Sequence, residues 1–281
     1  MFIAITDKLL KLCQSFWAFQ KTNGFDIAID YTDRPYHGNK NDEGIVGSKK
    51  EPHWAYRFAT IDIIERGNAL TLFMMPYKEL DTDEKIVRKL LEEAKKRIKI
   101  KRLYGDQEFS YACLIDIYNE LDVCYIIRAK GDYIYKKEKK TDKPIWFEYS
   151  RKRYANKNPV YTTTTWVICV FEDKKGEIKK ESYFTNKKVT HSNKNKFYQW
   201  YDKRWSIEID YRSNNIFMPK TSAKKYVVRL FYFVLCSILR NIWVFINLKI
   251  KIKLKIRIRS KPILTADDFI FLIFKNYNIS V

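Results

Sequence analysis

The sequence predicts an α/β protein built on a mixed sheet, entered in the order βββαβαβ, interrupted by a β-rich insertion and completed by helices. Three observations carry this. Residues 25–30, 53–65 and 69–76 read as strands, the first by strict alternation and the other two as strand-like runs around a turn signal at Arg66, Gly67 and Asn68. Residues 82–98 carry apolar side chains at helical spacing, and strand-like runs at 101–106 and 122–129 follow with a helix between them. From 130 to 195 the pattern turns to short β-rich runs between Lys-, Asp- and Asn-rich turns, with almost no helical periodicity.

In chain order, residues 1–20 read as a short helix without the charged, apolar and small-residue regions of a signal peptide. Alternation over 25–30 places Phe25, Ile27 and Ile29 on one face and Asp26, Ala28 and Asp30 on the other, with Asp30 ending the strand. Residues 32–47 are turn-rich, so the two strands at 53–65 and 69–76 complete a three-stranded antiparallel start. Thr82 caps the next helix, Asp83 and Glu84 occupy its first turn, and Ile86, Val87, Leu90, Leu91, Ala94 and Ile98 form its apolar stripe. The strand at 101–106 ends in Gly105 and Asp106, residues 110–120 read as a helix, and residues 122–129 read as a buried strand.

Within the insertion, strands are expected at 162–171 and 178–184; helical spacing returns at 196–212, and residues 221–247 form a long apolar helix. Its stretch 226–248 is long enough to cross a bilayer, but Arg229 and Arg240 lie within it, each at a cost of about 2.5–3.5 kcal/mol at the membrane centre. A buried core helix is the expectation, with no membrane partner. Residues 249–259 alternate Lys or Arg with Ile or Leu, which a helix would scatter around its circumference, so a solvated edge strand or a disordered segment is expected. The expected organisation is a short helical segment at 1–24, a core at 25–129, the β-rich insertion at 130–195, core helices at 196–248 and a basic tail at 249–281.

Composition narrows the function. Lys and Arg number 54 against 33 Asp and Glu, a formal charge of +21 that selects a polyanionic partner. Only 8 of 281 residues are Gly, and no GxGxxG or GxxxxGK[ST] occurs, which excludes dinucleotide and P-loop chemistry. The five cysteines are odd in number and never paired as CxxC, and the three His form no cluster, so neither a disulfide framework nor a zinc site is expected. A reducing, cytoplasmic setting follows.

Three carboxylates stand out by position: Asp30 and Asp106 at strand ends, and Glu208 on the helix after the insertion. They lie 76 and 102 residues apart, so only a fold can bring them together. Clustered, they would need cations; two Mg²⁺ held by carboxylate and phosphate oxygens would suit an in-line displacement at phosphorus. Tyr201, Arg204, Glu208, Tyr211 or Arg212, and Asn215 recur as one polar helical stripe. Arg204 and Glu208 could form an ordinary i,i+4 pair, or Arg204 and Tyr201 could hold a substrate phosphate.

The run Tyr201-x2-Arg204-x3-Glu208, continued by Tyr211 and Arg212, resembles the C-terminal signature of insertion-sequence transposases with a DDE catalytic domain. Asp30-Tyr31-Thr32-Asp33 with Pro35, Tyr36 and Gly38 resembles the first-aspartate motif of that family, and Gly105-Asp106-Gln107-Glu108-Phe109 resembles the second. The resemblance spans about 25–247 in the family's order and implies an RNase H-like core catalysing DNA strand cleavage and strand transfer. It implies Asp30, Asp106 and Glu208 as ligands of two Mg²⁺ (or Mn²⁺) ions, Asp30 rather than Asp33 as the first of them, and Tyr201, Arg204 and Arg212 as phosphate contacts. The expected partner is double-stranded DNA, held by a homodimer. Two departures are plain: position 215, where the family carries a phosphate-binding Lys, is Asn215, with Lys220 out of register, and only 29 residues precede Asp30. An amino-terminally truncated copy is therefore expected, and an inactive remnant that only binds DNA stands as the alternative.

Overall fold

In a computed structural model the described residues are 2–14, 23–48, 53–64, 69–155, 158–173, 175–204, 216–219, 221–258 and 260–276. Helix α1 (Phe2–Gln14) precedes β1 (Phe25–Pro35), the short β2 (Val46–Gly47), β3 (Trp54–Ile63) and β4 (Thr71–Tyr77). There follow α2 (Asp83–Lys95), β5 (Ile100–Gly105), a 3-10 turn at Gln107–Phe109, α3 (Ala112–Glu120), β6 (Tyr125–Arg128) and α4 (Asp132–Lys140). Strands β7 (Ile145–Ala155), β8 (Asn158–Glu172) and β9 (Ile178–Thr185) lead to α5 (Phe197–Asp202), α6 (Tyr226–Lys253) and α7 (Ala266–Asn276). The chain forms two compact units: a first of Gly24–Asp30 and Thr82–Arg204, and a second of Met1–Asn23, Tyr31–Asp81 and Trp205–Val281.

In the first unit β1 pairs in parallel with β5, and β5 with β6. Strand β6 pairs antiparallel with β9, β9 with β8 and β8 with β7, so the β-rich stretch extends the same sheet. Parallel strands are covered on both faces, and accordingly Phe25 to Ile29 and Arg102 to Gly105 are all buried. Helix α2 starts as its sequence dictates: the Thr82 hydroxyl accepts the Lys85 N–H at 3.3 Å, and Ile86, Val87, Leu90, Leu91 and Ala94 are buried. Gly24 enters β1 at φ +101°, and a Cβ there would meet the Lys99 carbonyl oxygen at 2.8 Å. Helix α4 departs from the expectation for 130–195. It is two turns long and buries only Ile134 and Glu138 among its described side chains, too few to write a period.

The second unit carries the antiparallel pairs β2–β3 and β3–β4. Strand β1 does not end at Asp30 but continues to Pro35. Its polar residues find partners beside β3: Arg57 donates to both Asp33 oxygens at 2.7 and 2.9 Å, and its guanidinium lies 5.7 Å from the Tyr31 ring centre. Strand β3 neighbours β1 in the sheet, a pairing absent from local pattern.

Helix α6 is long and apolar enough to cross a membrane, an 18-residue window of it having a mean hydropathy of 1.7, and one face of it packs on the β3–β4 pair. Phe233 stacks on Phe58 at 4.0 Å, and the buried Asn241 accepts the Thr71 N–H at 3.0 Å and donates to the Thr71 carbonyl at 2.9 Å. Buried Arg240 donates to the Ala69 carbonyl and the Thr71 hydroxyl, both at 3.2 Å.

The expectation of a strand or disorder at 249–259 is corrected, because α6 runs on through Lys253. A helix already nucleated over many apolar residues propagates cheaply, and buried Lys251 donates to the Ile258 and Ser260 carbonyls at 3.0 and 2.8 Å, folding the next segment back. Helix α7 follows, its start marked by the Thr265 hydroxyl accepting the Asp268 N–H at 3.1 Å. Strand order and helices are those of a mixed α/β, RNase H-like fold with extra strands.

Candidate functional site

The register of β1 on β5 decides where the two aspartates go. Asp26 lies level with Arg102 and Ala28 with Tyr104, an offset of 76 residues, which is also the separation of Asp30 and Asp106. Side chains alternate along a strand, so Asp26, Ala28 and Asp30 share one face of β1, and Arg102, Tyr104 and Asp106 the matching face of β5. Salt bridges between Asp26 and Arg102 at 2.8 Å show that this face is common to both strands. The same 76-residue offset separates Asp30, which lies inside β1, from Asp106, which directly follows the carboxyl end of β5, each two residues beyond the last paired positions Ala28 and Tyr104. Open α/β sheets bind ligands at this end.

Asp106 follows β5 directly and caps the 3-10 turn, its Oδ1 accepting the Glu108 N–H at 2.7 Å. Burial pushes its pKa up, partly offset by that hydrogen bond and by the charges of Arg204 and Lys130. A carboxylate that water solvates poorly gains from a cation.

Helix α5 brings the aromatic and basic groups. Tyr201 lies in its last turn with its ring 4.9 Å from that of Tyr183, and Arg204 follows in a turn closed by its N–H to the Tyr201 carbonyl at 2.8 Å. The Arg204 guanidinium sits 5.5 Å from the Tyr201 ring centre. Burial pushes the Tyr201 hydroxyl up to about 12, so it remains a proton donor at neutral pH. Lys203, between them, donates to Asp26 at 2.9 Å, and the Arg102 guanidinium lies 5.2 Å from the Trp200 ring centre. These contacts pin the end of α5 over the face that carries Asp30 and Asp106.

Of the residues expected at the site, Asp106, Tyr201 and Arg204 interact through charge, and all three belong with Asp30 to the first unit. Glu208 and Arg212, with Asn215 and Lys220, lie outside the described residues, as does the helical stripe beyond Arg204. Asp33, the rival of Asp30, is committed to Arg57 by two bonds. Among the described residues no group of three His, Cys, Asp or Glu could hold a metal ion. The oxygen donors and desolvation of Asp106 nonetheless suit a hard divalent cation. Sequence reasoning missed Asp26, Arg102 and Lys203; the signal available was that Asp26 alternates onto the face of Asp30.

The profile of the Transposase DDE domain matches residues 26–230. The chain belongs to the DDE transposase family. The matched stretch of this DDE domain contains Asp30, Asp106, Tyr201, Arg204, Glu208 and Arg212. Among solved structures, the cryo-EM structure of the piggyBac transposase synaptic complex with hairpin DNA superposes at a TM-score of 0.59 with 11% identity, covering 98% of this chain. The DDE chain spans 59% of that protein's length, and at this identity the similarity is one of fold. The crystal structure of the NurA nuclease from Sulfolobus solfataricus aligns over 100% of this chain and 99% of its own at 13% identity, with a TM-score of 0.29 that bears on neither fold nor function. No curated protein sequence matches the chain.

Proposed function

We propose that this DDE domain cuts and joins DNA strands during transposition of an insertion sequence, with Asp30, Asp106 and Glu208 holding two Mg²⁺ or Mn²⁺ ions. The observation that supports the proposal is the parallel register of β1 on β5, which pairs Ala28 with Tyr104, two residues before Asp30 and Asp106 respectively. Bound there, the ions would supply Lewis-acid stabilisation of the charge that builds on the phosphate. The chain's own residues do the rest. Arg204 offers a fixed positive fork to a phosphate oxygen, Tyr201 a hydroxyl that stays protonated, and Arg212 a further cation. The Asp26, Arg102 and Lys203 cluster fastens the end of α5, which carries Tyr201 and leads into Arg204, to the sheet, and both groups interact with Asp106 through charge. The +21 charge attracts double-stranded DNA, and we take the acting form to be a homodimer on DNA in the cytoplasm, without membrane association.

Asn215, in place of a phosphate-binding Lys, favours a second reading in which the chain binds DNA without cutting it. Incubation with supercoiled plasmid separates the two. The proposal expects nicked product with Mg²⁺ or Mn²⁺ and none with EDTA; salt-sensitive binding with no nicking in either metal would establish the remnant.

A further inference from the structure

Helix α4 carries surface chemistry that neither its packing nor the catalytic reading uses. It is anchored by buried Ile134 and by Glu138, which accepts from Arg128 at 3.2 and 3.4 Å. Lys137, Lys139 and Lys140 occupy its last turn, where they favour the helix dipole. That accounts for lysines but not for tyrosines. Tyr135 is 37% exposed, and its hydroxyl donates to Gln107 Oε1 at 2.6 Å, fixing the ring beside the residue that follows Asp106. Across the same turn Tyr111 is 45% exposed, with Lys130 Nζ 5.9 Å from its ring centre. Gln107 directly follows Asp106, and Tyr111 precedes the helix that comes after the 3-10 turn capped by Asp106, so both rings border the loop that begins at the aspartate. Lys139, four residues after Tyr135, lies on the same helix face.

Two exposed rings with two lysines at the rim of Asp106 define a ligand. Duplex DNA hides its base faces by stacking and offers a tyrosine ring only backbone and the base edges in its grooves. A strand whose bases are unstacked offers π-faces at the spacing of its phosphates, and aromatic rings with flanking cations are the usual means of holding it. We propose that nucleotides unstacked from the duplex beside Asp106 lie on Tyr111 and Tyr135, with their phosphates met by Lys130 and Lys139. This rests on the transposase reading only in that DNA is the substrate.

Tyr133 supplies an internal control. It is 60% exposed, but two residues from Tyr135 it points about 200° away around the helix, and its ring meets Trp166 edge-on at 5.9 Å.

The test is fluorescence anisotropy of the full chain in EDTA, with a labelled oligo(dT) strand and a duplex of equal length, so that cleavage plays no part. Tyr111→Ala and Tyr135→Ala are each expected to weaken single-strand binding at least about five-fold while duplex affinity stays within about two-fold. Tyr135→Phe, which keeps the ring, and Tyr133→Ala are expected to bind as wild type. Melting temperatures of the variants confirm that the fold persists. The inference is overturned if the Ala variants leave oligo(dT) binding unchanged, if duplex binding falls equally, or if Tyr133→Ala is as damaging. A wild type that binds duplex but not oligo(dT) overturns it and leaves the transposase reading standing; one that binds neither overturns both.

Discussion

Asp26→Asn isolates the cluster that seats α5 on the sheet. The Asp26 side chain is 1% exposed and takes two bonds from Arg102 and one from Lys203, all between 2.8 and 2.9 Å. Burial alone would raise its pKa, but the hydrogen bonds and charges of Arg102 and Lys203 together outweigh that and hold it below the ordinary aspartate value. Removing one partner of a buried pair costs about 3–5 kcal/mol, because the other charge is left uncompensated. Asn keeps one acceptor for Arg102 but sets an amide N–H₂ against the remaining donors, which places the variant near the low end, about 3 kcal/mol. At about 2–4 °C per kcal/mol for domains of comparable size, the melting temperature should fall by about 6–12 °C. Lys203→Ala removes a group that is 41% exposed and should cost only about 0.5–1 kcal/mol.

The pH dependence has a definite sign. A carboxyl with a lowered folded pKa stabilises the protein above its unfolded value of about 3.9, and that stability is lost as pH falls through the folded value. Asp26→Asn should therefore flatten the acid limb of the stability curve, and the double variant Asp26→Leu/Arg102→Met should recover much of the loss. Urea titrations at pH 7 and at pH 3 measure all of this. A loss under about 0.5 kcal/mol for Asp26→Asn, or an unchanged acid limb, would refute the assignment of this cluster as a seat for α5.

Two other perturbations probe the fold. Asn241→Leu keeps the side-chain volume but strips both the N–H and the carbonyl of Thr71 of their partner inside the second unit, and a loss of about 2–3 kcal/mol is expected in chemical denaturation. Gly24→Ala must place a methyl 2.8 Å from the Lys99 carbonyl oxygen at φ +101°; a fall in stability of about 1–3 kcal/mol is expected in the same assay.

The parts of the fold that are written locally are legible in the sequence. Thr82, two acids and a stripe of five buried apolar residues specify α2 without reference to anything else. Alternation over Phe25 to Asp30 gives both the strand and the face that Asp30 shares with Asp26. What escapes local pattern depends on partners. The extension of β1 to Pro35 comes with its place beside β3 in the sheet, where Asp33 meets Arg57, and the helical state of Lys249 to Lys253 is inherited from the apolar turns before it, against a period-two pattern of Lys and Ile. Helix α7 does have a signature, Thr265 with Asp268 three residues on, which the basic tail obscures. In the site, carboxylates at Asp30 and Asp106 are nameable from motif, but the register that pairs Asp26 with Arg102 and Ala28 with Tyr104, two residues before each of them, is not. The Lys203 contact could not be foreseen, since it joins residues 177 apart.

The central claim is that Asp30 and Asp106, and not Asp33, form the reactive edge. It is tested most directly by plasmid nicking with Mn²⁺ by Asp30→Asn, Asp106→Asn and Asp33→Asn, prepared together and matched for metal-free DNA affinity. The register predicts that the first two lose nicking while still binding DNA, and that Asp33→Asn, which gives up only its pairing with Arg57, keeps it. Nicking that survives Asp30→Asn but is abolished by Asp33→Asn would contradict the account.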